Sequence, residues 1–181
     1  MINIPILQTE RLTIRPFEVA DLDKLDQIYP RETDLTARDF RRERMEWVIS
    51  ATSRFAKYGI PSYLDRAVVL RASDTLIGAV GYNAEIEPFE SLPYLGGNAK
   101  AFSTPEISLY WEIGEAYRRK GYATEAAQAL VDYAFKVARV KRLIALTHPT
   151  NLGSLGVMRK LGMYIETAQG ACGILENKLE G

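Results

Sequence analysis

Apolar and polar residues alternate through Arg11-Leu-Thr-Ile-Arg-Pro-Phe17, which predicts a half-buried strand. Asp21 follows, and Leu22, Leu25 and Ile28 recur at helical spacing until Pro30 stops the run. A longer helix is predicted over residues 37–57, with Phe40, Met45, Trp47, Val48 and Phe55 as its apolar members; Tyr58-Gly59 ends it and Pro61 follows. Ala67-Val-Val-Leu-Arg71 and Leu76-Ile-Gly-Ala-Val-Gly-Tyr82 read as two strands joined by the turn Ala72-Ser-Asp-Thr75. Between residues 87 and 105 the periodicity disappears under Pro88, Pro93, Gly96, Gly97 and Asn98, with Phe89, Tyr94 and Phe102 interleaved. A loop of this length is either a functional cover or a surface excursion pinned by its aromatics.

Periodicity returns with Glu106-Ile-Ser-Leu-Tyr-Trp-Glu-Ile113, the clearest strand. After a turn at Gly114, a helix is predicted over residues 119–139, with Ala123, Ala126, Ala127, Leu130, Ala134, Val137 and Ala138 along one face. Arg142-Leu-Ile-Ala-Leu-Thr147 is another strand, and Asn151 can cap a short helix that stops near Gly162. Residues 163–168 and 173–179 supply two last strands. The order β-α-α-β-β-β-α-β-α-β-β, without linker or repeat, predicts one α/β domain over residues 1–181.

Composition narrows the function classes. The chain has 181 residues with 23 Lys plus Arg against 23 Asp plus Glu. Such a neutral chain has no general field for nucleic acid, so no direct nucleic-acid partner is expected. Arg41-Arg42-Glu43-Arg44 reads as a solvated helix face, whereas Arg118-Arg119-Lys120 lies in a turn. A single cysteine, Cys172, and a single histidine, His148, exclude a disulfide framework and a Cys/His zinc centre. No metal site is expected. Neither a signal peptide nor a membrane span is legible, and the expected location is cytoplasmic.

One segment carries candidate chemistry. Strand, short loop, Gly121 and an Ala-rich helix together form a recipe for binding phosphate, because the first helical N–H groups have no intrahelical partner and the helix dipole is positive there. Gly121 lets backbone approach a ligand, Ala123 keeps the cradle open, and Arg118, Arg119 and Lys120 add positive charge. The same residues could also merely start a structural helix. Neither a P-loop nor a Gly-x-Gly-x-x-Gly fingerprint is present.

Arg118-Arg119-Lys120-Gly121-Tyr122-Ala123 matches the pattern Arg/Gln-x-x-Gly-x-Ala/Gly, and Thr124-Glu125-Ala126 follows it. Downstream come Asn151-x-x-Ser154 and Lys160-Leu161-Gly162-Met163, and upstream lies Thr9-Glu10-Arg11-Leu12-x-Ile14-Arg15-Pro16. With these motifs in order over nearly its whole length, the chain resembles the GCN5-related N-acetyltransferase (GNAT) superfamily, in the branch of ribosomal-protein N-terminal acetyltransferases.

The resemblance implies a mixed, mostly antiparallel central sheet flanked by helices, whose fourth and fifth strands splay apart around the pantetheine of acetyl-coenzyme A. It implies that backbone groups at Trp111, Glu112 and Ile113 meet the pantetheine amides. The N–H groups of Arg119, Lys120, Gly121, Tyr122, Ala123 and Thr124, with Arg118 alongside, would hold the pyrophosphate. Asn151 would serve the pantetheine, or simply cap its helix.

The implied reaction is direct attack of an amine on the thioester, which needs a neutral amine, a stabilised oxyanion and a proton for the thiolate. Glu106 and Glu112 share a strand face by their even spacing. Glu106 is the preferred general base, acting through water. The superfamily's tyrosine proton donor is replaced by Met158, so the thiolate proton is assigned to Ser154, with Tyr164 a further hydroxyl to consider. The acceptor is expected to be a protein N-terminus or a small-molecule amine, and a non-catalytic acyl-CoA-binding module is the rival reading. The two N-terminal helices, with Trp47 and Phe55, and the 87–105 loop are expected to line the acceptor side. A homodimer is compatible with the chain, though no feature requires one.

Overall fold

The computed structural model describes residues 4–29, 35–60, 64–167 and 170–177, and the chain gathers into two compact units. The first holds residues 1–81 and 110–130, the second residues 82–109 and 131–181. The chain passes from one to the other inside strands β4 (Thr75–Glu87) and β5 (Thr104–Ile113) and helix α3 (Tyr122–Asp132).

In the first unit, β1 (Leu7–Gln8), β2 (Leu12–Pro16) and β3 (Arg66–Leu70) lead to the first part of β4, each antiparallel to its neighbour, and the end of β5 follows β4. Leu12 and Ile14, the apolar members of the alternating segment, pair with Leu70 and Val68 and are fully buried. β1 is too short to leave a period-two signal and was not expected. Gly78 lets β5 approach β4, since a Cβ there would run into the Glu112 carbonyl and lie 2.6 Å from Ile113 Cδ1.

The chain leaves β2 through a 3-10 turn, Val19–Lys24, anchored by Asp21, which accepts from both Arg15 terminal nitrogens (2.7 and 2.9 Å) and from the Glu18 amide (2.8 Å). α1 (Leu25–Ile28) is thus one short turn, and the Pro30 stop lies outside the described residues.

α2 (Leu35–Tyr58) packs Met45, Val48 and Ala51 against Leu22, Leu25, Ile28, Val69, Leu76 and Ala79. Phe40 and Trp47, two further apolar members of this helix, are 68% and 56% exposed. At about 100° per residue they fall on the side of the helix opposite Met45 and Val48. The helix ends at Tyr58, and Pro61 lies outside the described residues.

In the second unit, β4 and β5 are followed in order by β6 (Arg142–Thr147), β8 (Ala171–Glu176) and β7 (Tyr164–Glu166). β5 and β6 are parallel, with Ile107 opposite Leu143 and Ser108 opposite Ile144, whereas β6–β8 and β7–β8 are antiparallel. The last two expected strands are therefore real, but Ala168 and Leu179, their predicted ends, lie outside the described residues.

The aperiodic 87–105 stretch is partly ordered: β4 runs to Glu87, two 3-10 turns follow (Phe89–Ser91 and Pro93–Leu95), and β5 starts at Thr104. Phe89 and Leu92 are buried with Ile144, Cys172 and Ile174, and Tyr94 stacks on Tyr164 at 4.4 Å. Phe102, by contrast, is 89% exposed.

The long helix is shorter than its pattern. After Asp132 it widens into a π turn, Tyr133–Val137, with Ala138 N–H bonding Tyr133 O (3.0 Å). The wider turn rotates the buried face, so Tyr133 and Ala134 go inside while Val137 is 66% exposed.

Candidate active site

In the first unit, β5 ends at Ile113 and a single 3-10 turn, Glu115–Tyr117, leads to the basic segment. Arg118 is extended, Arg119 is left-handed (φ 62°), and Gly121 is left-handed (φ 85°) immediately before α3. Two left-handed residues this close turn the chain sharply into the helix. Gly121 O accepts the Glu125 N–H at 3.0 Å, making Gly121 the N-cap. Glycine has no side chain to cap with, so the first-turn N–H groups of Tyr122, Ala123 and Thr124 stay available to a ligand. The sterically decisive quantity at Gly121 is its φ: a Cβ would be strained there and would sit 3.3 Å from an Arg11 terminal nitrogen.

The basic side chains act differently from expectation. Arg118 turns back on its own unit, donating from Nε to Ile113 O (2.8 Å) and from a terminal nitrogen to Glu112 (3.2 Å). Lys120 Nζ donates to Ala116 O at 3.1 Å. Arg119 is exposed with no polar partner among the described residues. Trp111 and Glu112 are half-buried and Ile113 is buried, its carbonyl already bonded to Arg118.

A hydrogen-bond network joins the turn and α3 to the start of β2. The Thr9 hydroxyl donates to Glu125 Oε1 at 2.6 Å, the Arg11 amide donates to the same oxygen at 2.9 Å, and Arg11 Nε donates to Oε2 at 2.7 Å. Arg11 also donates to Lys120 O (3.0 Å) and lies 4.5 Å over the Tyr122 ring. Burial alone would raise the Glu125 carboxyl, but the Thr9 and Arg11 donors hold it below the usual carboxylate range. The signal for this network was present in the sequence, as Thr9-Glu10-Arg11 and Thr124-Glu125-Ala126 were both visible motifs.

The same unit contains a polar cluster that periodicity did not reveal. Asp65, only 4% exposed, pairs through Oδ2 with Arg44 (3.0 Å), and its Oδ1 is buried without a hydrogen bond. Burial pushes its carboxyl up despite Arg44 and Arg41. Arg41 stacks over the Tyr29 ring at 3.6 Å, and Tyr29 hydrogen-bonds Tyr110. Burial raises both phenols, so both remain donors at neutral pH. The Arg41–Arg44 cluster is therefore more than the solvated face expected: Arg42 does meet exposed Asp23 and Glu46, while Arg41 and Arg44 cover buried polar groups.

The second unit carries the other expected residues. Glu106 forms an ion pair with Arg142 through Oε1, and Arg142 also reaches Glu176 at 3.8 Å. Glu106 and Glu112, both on β5, thus have different arginine partners. Asn151 Oδ1 accepts the Ser154 amide at 3.1 Å, so Asn151 does cap α4 (Leu152–Lys160). The Ser154 side chain is half-buried and its hydroxyl has no bond among the described residues. Met158 is fully buried against Gly173, a packing residue as well as a non-donor. His148 is a turn residue, its Nδ1 engaged by the Thr150 hydroxyl (2.7 Å) and amide (3.3 Å). Tyr164 is exposed, with its ring stacked on Tyr94. Among the described residues no cluster could hold a metal, and no helix is long and apolar enough to cross a membrane.

A family model for an acetyltransferase (GNAT) domain matches residues 11–164. The chain belongs to the GNAT acetyltransferase family. It is 30% identical over 160 residues to the uncharacterised N-acetyltransferase YnaD of Bacillus subtilis strain 168, covering 88% of this chain and 83% of that protein. Among solved structures it is similar in fold to a ribosomal-protein-S5-alanine acetyltransferase of Vibrio fischeri (TM-score 0.67, 16% identity, covering 97% of this chain and 98% of that one). It is likewise similar to RimL, the ribosomal L7/L12 α-N-protein acetyltransferase solved with coenzyme A (TM-score 0.65, 13% identity, covering 97% and 99%). The α/β architecture, with mostly antiparallel strands and a parallel β5–β6 pair, is the GNAT fold, and the protein is an acetyl-CoA-dependent N-acetyltransferase. The open amides of α3 and the missing Cβ at Gly121 suit a pyrophosphate.

Proposed function

We propose that residues 1–181 work as one acetyltransferase domain that moves the acetyl group to the α-amine of a protein N-terminus. The observation that carries the coenzyme half is the Gly121 opening of α3, with left-handed φ, no side-chain cap and an exposed Arg119 beside it. Pyrophosphate would be held by the amides of Arg119 to Thr124, and pantetheine by backbone at Trp111–Ile113 and by Asn151.

The N-terminal acceptor is supported by the ribosomal-protein acetyltransferases among the structural neighbours and by the neutral charge of the chain. It is supported too by chemistry. An α-amine has a pKa of about 7.7–8 against about 10.4 for lysine, so a weak base suffices. Glu106 fits that modest role: Arg142 occupies Oε1, leaving Oε2 to take a proton through water. Ser154, with its hydroxyl unengaged, would hydrogen-bond the departing thiolate and relay a proton to it from water.

An amine panel tests the acceptor. N-terminal peptides, polyamines and aminoglycosides are assayed for thiol release from acetyl-CoA, and peptides are expected to turn over best. Turnover confined to small amines would overturn the N-terminal acceptor. Glu106→Gln should lower turnover about tenfold or more while coenzyme A still binds. Unchanged turnover would remove Glu106 from the chemistry.

A further inference from the structure

We propose that Thr9, Arg11 and Glu125 form a clamp that pre-shapes the coenzyme-binding turn, making Arg11 and Glu125 positioning residues for the pyrophosphate. The proposal rests on the coenzyme reading of the Gly121 turn.

Both oxygens of Glu125 are engaged from the opening strand: Oε1 accepts from the Thr9 hydroxyl and the Arg11 amide, Oε2 from the Arg11 guanidinium. The other end of that guanidinium bonds the Lys120 carbonyl at 3.0 Å and covers the Tyr122 ring at 4.5 Å. One planar group therefore ties the residue before Gly121, the residue after it and the first turn of α3 to the strand. Each hydrogen bond that the Arg11 guanidinium makes goes to a protein acceptor, Glu125 or the Lys120 carbonyl, so its role is to hold the turn.

This division is physically economical. A left-handed Arg119 and Gly121 are costly to hold in isolation, and amides bind an anion well only if they already point the right way. Lysine cannot substitute, since it cannot reach a carboxylate and a carbonyl together as a planar fork does.

The test separates the phosphate end from the thiol end of the donor. Coenzyme A binding is measured by calorimetry in Arg11→Ala, Arg11→Lys and Glu125→Gln, beside turnover with acetyl-CoA and with acetyl-pantetheine, which has no pyrophosphate. Arg11→Ala and Arg11→Lys should each weaken coenzyme A binding about tenfold, and Glu125→Gln about threefold. Turnover at saturating acetyl-CoA, and kcat/KM for acetyl-pantetheine, should stay within about twofold of the parent. Equal loss with both donors would mean general structural damage and would overturn the clamp, as would parental affinity in folded Arg11→Ala. Should that variant fail to fold, the milder Glu125→Gln gives the same readout. A parent that binds no coenzyme A sinks the reading of the turn itself, whereas a binding parent with an indifferent Arg11→Ala sinks the clamp alone.

Discussion

Two helices in this protein begin immediately after motif residues, and they begin in opposite ways. α4 opens on Asn151, whose side chain accepts the Ser154 amide at 3.1 Å, so the helix satisfies part of its own N-terminus. α3 opens on Gly121, which has nothing to cap with, and its neighbour Arg119 takes a left-handed conformation. A capped terminus gives up anion affinity for helix stability, while an uncapped one keeps its donors for a ligand and must be stabilised from outside. At α3 the outside support is Thr9 and Arg11, which bond Glu125 of the helix and the Lys120 carbonyl before it.

The sharpest way to break that contrast is Gly121→Val. A β-branched residue at φ 85° is strained, and its Cβ meets Arg11 at 3.3 Å. Coenzyme A affinity, read by calorimetry on a variant whose circular dichroism shows it folded, should fall about a hundredfold. Arg118→Glu should follow with a loss of about tenfold, because it removes the bond to Ile113 O and sets a carboxylate beside Glu112 and the pyrophosphate.

Asn151→Ala makes the opposite demand. Losing the cap should cost about 1 kcal/mol of stability, a melting shift of a few degrees, with a smaller effect on coenzyme A affinity than either change at α3. Unchanged coenzyme A affinity in folded Asn151→Ala would remove Asn151 from the pantetheine and leave it a helix cap alone.

The smallest effect is one of pH. The Glu125 carboxyl lies below its ordinary value of 4.5 in the folded chain, so its stabilisation is fully present above that value and is lost as pH falls through the lower, folded one. The stability difference between the parent and Glu125→Gln should therefore hold from neutral pH down to about 5 and shrink toward pH 3. Asp65 runs the other way. Its carboxyl is raised, so it favours the fold in acid and loses that advantage as pH rises through its folded value. Denaturant melts of Asp65→Asn across the same range should show a relative gain at neutral pH.

The contrast between the two helix starts also shows how far a linear reading reaches. Asn151 as cap, β6 at Arg142–Thr147 and the glycine stop at Gly162 were legible because each depends on neighbours a few residues away. Which apolar members of α2 are buried depends on angular position against the rest of the fold, which leaves Phe40 and Trp47 exposed, and at Val137 a single π turn re-aimed the helix. Even spacing puts Glu106 and Glu112 on one strand face, yet their arginines come from positions 142 and 118.

Local chemistry was enough to establish the α/β element order, the family motifs and the phosphate-ready turn at Arg118–Ala123, since period, capping and glycine conformation act over three to four residues. Folding alone settled which charges that turn can spend. It turned Arg118 and Lys120 back onto backbone carbonyls, left Arg119 exposed, and brought Arg11 and Glu125, 114 positions apart, into one ion pair. The reason is physical: a side chain's partner is fixed by distance in space, and a charge that finds a partly buried acceptor nearby is no longer available to a ligand.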